Sequence, residues 1–151
     1  MVDQVVALEK AMKRCRRLAE KAAVEQPIDS PSVLAGLMMA DLAGAEQEEL
    51  WVLLCDTRNR LIGKVQVYKG SLNTSMVRIG ELFREAIRQN AAGIAVVHNH
   101  PSGDPSPSPE DLAVTRAIIE GGDLLDIHVL DHVVIGRGQY VSLRATTQLW
   151  A

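Results

Sequence analysis

The segment GIAVVHNHPSGDPSPSPEDLAVTR, residues 93–116, changes character twice. It opens with an apolar run, IAVV, which reads as a buried strand ending at His98 and His100. Pro101, Pro105, Pro107 and Pro109 follow and exclude both a helix interior and a central strand. Ser108 then suits a helix N-cap, Pro109 the first helical position and Asp111 the third, a capping box with Asp in place of Glu. Strand, stiff loop and helix start therefore succeed one another. Side chains two apart on a strand point to the same side, so both imidazoles can converge on one point. Two nitrogens, one carboxylate and an open fourth position suit a catalytic zinc. Asp111, eleven positions beyond His100, is the natural third ligand. The prolines fix φ and Gly103 supplies a hinge, so the loop loses little entropy when it folds Asp111 back. An isolated HxH is a weak signal, and a Pro/Ser/Asp segment is usually only a loop. The whole string HxHPxxxxxxSxxD is harder to obtain by accident, with five specified positions in fourteen.

The rest of the chain narrows the class. Its 151 residues suffice for one domain with a real core. With 47% hydrophobic and 23% charged residues it is neither disordered nor fibrous. A net charge of −3 does not advertise nucleic-acid binding. No apolar run approaches a membrane span, and the charged N-terminus does not read as a signal peptide. Cys15 and Cys55 lie outside any CxxC pattern, which argues against a disulfide framework or a thiolate zinc site. A reduced, cytoplasmic setting is expected.

Residues 2–24 read as a helix, with Val5, Leu8, Met12, Cys15 and Leu18 on one face and a basic cluster including Lys13, Arg14, Arg16 and Arg17 on the other. That cluster reads as a solvated face before it reads as a phosphate contact. Ser30 and Pro31 start a second helix. Strands are expected at 49–56 and 61–70, a loop from Ser71, a helix over 80–93 with Gly93 as its stop, a helix after Ser108, and strands at 127–136 and after Gly138. Helices and strands in this irregular alternation predict an α/β sandwich with a mixed sheet flanked by helices.

His98-Asn99-His100-Pro101-Ser102-Gly103, with Ser108 and Asp111, resembles the JAMM motif of JAB/MPN-type metalloproteases. More narrowly, residues 69–136, KGSLNTSMVRIGELFREAIRQNAAGIAVVHNHPSGDPSPSPEDLAVTRAIIEGGDLLDIHVLDHVVIG, resemble the bacterial RadC family nearly throughout. The resemblance runs from about Glu48 to about Leu143 and more weakly into the first helix. It implies a JAB/MPN-like, cytidine-deaminase-like fold over 29–151, preceded by a helix and linker at 1–28. It implies one Zn2+ per chain on His98, His100 and Asp111. It also implies that Ser108 polarises the substrate carbonyl or bonds the water, and that an upstream glutamate is the general base. Alignment places that base on Glu48, with Glu49 adjacent and Glu46 a distant third. The implied reaction is peptide or isopeptide hydrolysis by water, with no covalent enzyme intermediate. Other members carry a helix-hairpin-helix region ahead of the first helix, which this chain lacks, so it reads as a short member or a fragment. Two other classes compete: a non-catalytic JAB/MPN interaction module, and a DNA-repair-associated protein with nucleic acid as partner.

Among the remaining residues, Asn99 should point away from the metal. His128 and His132, four apart, should share one sheet face, with Asp131 on the other; they read as hydrogen-bonded packing residues before they read as a second metal site. Asp104 reads as a turn aspartate, with a bond to a ligand imidazole as its alternative role. Lys69 and Ser71 to Ser75 should line the cleft. Trp51 and Trp150 read as packing residues.

Overall fold

The computed structural model describes residues 2–70 and 77–151, with the side chains of 19–25 set aside. The expected cleft lining by Ser71 to Ser75 lies outside the described residues. The chain runs α1 (Val2–Glu25), α2 (Pro31–Leu42), β1 (Glu49–Cys55), β2 (Leu61–Lys69), α3 (Ile79–Arg88), β3 (Gly93–Asn99), α4 (Pro109–Leu125), β4 (His128–Ile135), β5 (Tyr140–Ser142) and α5 (Leu143–Thr146). The five strands form one mixed sheet in the order β2-β1-β3-β4-β5. β3 and β4 are parallel and the other neighbours antiparallel. No helix among the described residues is long and apolar enough to cross a membrane.

Strand alternation sorts the core into two layers. Leu53, Cys55, Ala95, Val97, Val133 and Ile135 meet α2 through Leu34, Ala35, Met38 and Leu42. Leu50, Val52, Leu54, Ile94, Val96 and Val129 face α3 and α4, chiefly Leu82, Phe83, Ala86, Val114 and Ile118. The α/β sandwich expected from the sequence is present. His98 continues the Ile94–Val96 face of β3 and Asn99 continues the Ala95–Val97 face. The parallel β3–α4–β4 unit puts the carboxyl end of β3 beside the N-terminus of α4, the usual place for a site in an open α/β sheet.

Several boundaries differ from the sequence expectation. α3 ends at Arg88, where Asn90 takes a left-handed φ of 52°; Gly93 instead opens β3. Ser142 caps a short helix through Ala145 N–H, so the last strand stops at three residues. Among the described side chains of α1, Val5, Leu8, Met12 and Leu18 are all exposed and stay out of the core. Trp51 packs beside the α2 layer, and Trp150 joins the other while its indole N–H donates to the Val129 carbonyl.

The largest departure lies in β4. Ile94 pairs with Val129 and Val96 with His132, so two steps on β3 oppose three on β4. This is a β-bulge at Leu130–Asp131, and it reverses which face each later side chain takes. His128 and His132 therefore do not share a face. His128 lies beside Leu130 and Leu34 on the α2 side, while His132 is buried on the α4 side against His98. Asp131 holds the bulge. Its carboxylate accepts the backbone N–H of His132 at 2.7 Å, that of Arg144 at 3.2 Å and the Ser142 hydroxyl at 2.7 Å. Burial still pushes its carboxyl above the usual value.

Gly122 lies inside α4, where alanine has the higher helix propensity. A Cβ there would meet the Ile127 carbonyl at 2.6 Å and Val129 at 2.8 Å. Gly122→Ala is expected to destabilise the protein by about 1–3 kcal/mol in urea unfolding. A stabilised variant, as propensity alone dictates, would show that α4 does not pack this closely on β4.

Candidate metal centre

β3 delivers His98 fully buried and His100 half-buried at its carboxyl end. Their Nε2 atoms are 3.1 Å apart. The Asp111 carboxylate spans the pair, with Oδ1 3.1 Å from His98 Nε2 and Oδ2 3.1 Å from His100 Nε2. Ligands with bonds of about 2.0–2.1 Å on a tetrahedral zinc stand about 3.3 Å apart, close to the 3.1 Å between the two imidazole nitrogens and between each nitrogen and the Asp111 oxygen facing it. Two imidazole nitrogens and a carboxylate fit zinc chemically.

Each donor is fixed from behind. Asp111 sits in the capping box of α4: Ser108 N–H donates to Oδ2 at 2.8 Å, and Asp111 N–H donates to the Ser108 hydroxyl at 3.1 Å. The helix start thus aims the carboxylate. Its pKa balance is informative: burial pushes it up, but the imidazoles of His100 and His98 that face it and the Ser108 N–H outweigh that and hold it well below the carboxylate range. His100 donates through Nδ1 to the Asp104 carbonyl at 2.9 Å, which leaves Nε2 facing the site. The backbone of Asp104 does this work; its carboxylate instead bonds Ser106, as a turn aspartate does. The loop is docked on the β4–β5 turn by His100 N–H to the Ile135 carbonyl and Arg137 N–H to the Gly103 carbonyl, both 2.8 Å. A Cβ at Gly136 would strike the Gly103 carbonyl and Pro105, so this close docking requires glycine.

Asn99 points to the other side of β3, as expected, and reaches across to β1. Its Oδ1 accepts Glu49 N–H at 2.7 Å and its Nδ2 donates to the Gln47 carbonyl at 3.1 Å. Glu48 is held between these two bonds, with Oε1 3.8 Å from His100 Nε2. Glu48, His98 and His100 form a group able to hold a metal ion. Glu49 turns away, accepting from Trp51 Nε1 at 3.2 Å and Gln66 Nε2 at 2.8 Å. Glu46 is exposed. Ser108 is half-buried at the rim; its oxygen caps the helix, and its hydroxyl hydrogen is left to donate elsewhere.

Sequence reasoning missed two residues behind His98. His98 Nδ1 lies 2.7 Å from His132 Nε2, and His132 Nδ1 lies 2.6 Å from the Thr115 hydroxyl. Both newcomers are buried, and burial holds the His132 pKa well below its ordinary value. A polar His132 within the apolar run VLDHVVI was the available signal. The bulge that turns it toward His98 leaves no trace in the alternation.

In the metal-free protein the bond to Asp111 raises His100 above its ordinary 6.5, against the opposing effect of burial. A raised value contributes stability that is complete below the unfolded pKa and is lost as pH rises through the folded one. Asp111, lowered, contributes above the ordinary carboxylate value and loses it as the solution becomes strongly acidic. Thermal melts of metal-free protein should therefore show wild type losing more stability than His100→Gln as pH rises from below the ordinary 6.5 to above it. Equal losses would contradict the His100–Asp111 pairing. Asn99→Ala should cost about 1–3 kcal/mol by stranding its two partners, as read by denaturant unfolding. A neutral result would remove the account of how Glu48 is held.

Comparison with known proteins agrees with this geometry. A family model described as RadC-like JAB domain matches residues 28–149. Among curated relatives, a UPF0758 protein of Chloroflexus aggregans is 51% identical over 143 residues, covering 94% of this chain and 62% of that protein. A UPF0758 protein of Roseiflexus castenholzii is 56% identical over 139 residues, covering 91% and 59%. One of Roseiflexus sp. is 61% identical over 118 residues, covering 78% and 50%. The chain thus spans at most about three fifths of the length of these relatives. The matched span contains the whole sheet, the histidine pair and the capping box, and the chain belongs to the RadC-like JAB domain family.

Proposed function

We propose that this protein is a zinc-dependent hydrolase of peptide or isopeptide bonds. The observation that carries the reading is the pair of imidazole nitrogens 3.1 Å apart, each faced at 3.1 Å by one oxygen of Asp111, with the Glu48 carboxylate beside them. His98, His100 and Asp111 would hold one zinc per chain. Zinc there would supply Lewis acidity, bringing a water toward neutral pKa and polarising a carbonyl. Glu48 takes a proton from the attacking water and passes it to the leaving amine as the C–N bond breaks. Ser108 donates its remaining hydroxyl hydrogen toward the developing oxyanion. Asn99 keeps Glu48 within reach of the site by clamping the backbone on either side of it.

Elemental analysis and peptidase assays test this together. Wild type should carry about one zinc, and His98→Ala should lose most of it, because a three-ligand site does not hold metal well with two. Glu48→Gln should keep its zinc and lose hydrolysis of peptide and isopeptide-linked substrates by about 10²–10⁴-fold. If Glu49→Gln abolishes hydrolysis and Glu48→Gln does not, the assignment of the base is wrong. Undiminished zinc in His98→Ala would overturn the ligand set.

A further inference from the structure

His98 can offer Nε2 to a metal only while its proton resides on Nδ1. That nitrogen is fully buried, and the atom facing it is His132 Nε2 at 2.7 Å, itself able to donate or accept. Two histidines in a row leave the direction of the bond open. The direction is settled one residue further on. Thr115 Oγ1 lies 2.6 Å from the Asp111 backbone carbonyl, and two oxygens that close need a hydrogen between them. The carbonyl has none to give, so the hydroxyl donates to it. Having one hydrogen, Thr115 must then accept from His132 Nδ1–H, also at 2.6 Å. His132 Nε2 is left without a proton and accepts from His98 Nδ1–H. His98 Nε2 is left as a lone pair facing His100 and Asp111.

We propose that Thr115 and His132 order the protons behind His98 and so preset its metal-binding tautomer. This rests on the metal-centre reading above, and it assigns a positioning role to two residues outside the HxHPxxxxxxSxxD string. The relay closes on itself, because its terminal acceptor is the carbonyl of Asp111, whose side chain is the third ligand. Run in the opposite direction, the chain would set two bare oxygens 2.6 Å apart and place a proton on the nitrogen that must face the metal. The β4 bulge, held by Asp131, is what brings His132 onto this face.

Thr115→Val keeps the shape and removes the hydroxyl; Thr115→Ser keeps the hydroxyl. In Thr115→Val, His132 Nδ1–H loses its acceptor, so His132 moves its proton to Nε2 and drives the His98 proton to Nε2. The expected result is zinc affinity lowered about 10–100-fold in Thr115→Val by chelator competition, with Thr115→Ser at the wild-type value. A second readout needs no metal. Nitrogen-15 spectra of metal-free protein, taken where the imidazoles are neutral, should show His98 protonated at Nδ1 in wild type and Thr115→Ser. Thr115→Val should show a shift toward Nε2. Far-ultraviolet circular dichroism establishes that the variants fold. Wild-type zinc affinity in a folded Thr115→Val, or a wild-type His98 protonated at Nε2, would overturn the relay. A wild type that binds no zinc would sink the hydrolase reading, while the spectra would still decide the relay.

Discussion

The Asp111 carboxylate serves two structures at once. It closes the first turn of α4 by accepting Ser108 N–H, and it faces both imidazoles at 3.1 Å. A carboxylate buried this deeply is costly unless its lone pairs are answered; here Oδ2 accepts Ser108 N–H, and both oxygens face the imidazoles with which they would share a metal ion. Helix capping is local and strong, so the direction of the carboxylate is set by the same interaction that starts the helix. Loop stiffness, glycine at 136 and the docking of residues 100–108 on the β4–β5 turn all serve to bring this helix start against the end of β3.

Around that point an apolar sheet carries an unusual amount of buried polarity: His98, Asn99, Asp111, Thr115, Asp131, His132 and Ser142. Unpartnered, each would cost about 1–3 kcal/mol. Among the described residues no buried side-chain nitrogen or oxygen lacks a partner. Apart from Asn99, which bonds the backbone of Gln47 and Glu49, the polar groups form two sets. One runs from His98 and Asp111 through His132 and Thr115. The other joins Asp131 to Ser142 and Arg144, and fixes the backbone on which His132 stands. A fully satisfied network of this kind is rigid, and rigidity is what a site of fixed donor spacing needs.

Some of this was legible in the sequence because it rests on local rules. Ser108, Pro109 and Asp111 announce a capping box, and the HxH spacing on a strand announces convergent imidazoles. The opposite direction of Asn99 follows from strand alternation. What stayed hidden depends on distant partners. The β4 alternation predicts His128 and His132 on one face, and only Ser142 and Arg144, eleven and thirteen residues beyond Asp131, stabilise the bulge that separates them. The choice between Glu48 and Glu49 is a one-residue register question. It turns on Asn99, fifty positions from Glu49, and on Trp51 and Gln66, which draw the Glu49 side chain away. Thr115 is invisible as a site residue, since a threonine facing the core of a helix reads as packing.

The central claim is that two imidazoles and one carboxylate converge on a single metal position. X-ray absorption at the zinc edge of the zinc-loaded protein tests it most directly. The account expects a shell of nitrogen and oxygen only, at about 2.0–2.2 Å, with the outer-shell scattering of two imidazoles. A sulfur scatterer near about 2.3 Å, a shell with one imidazole or none, or a protein that takes up no zinc would contradict it.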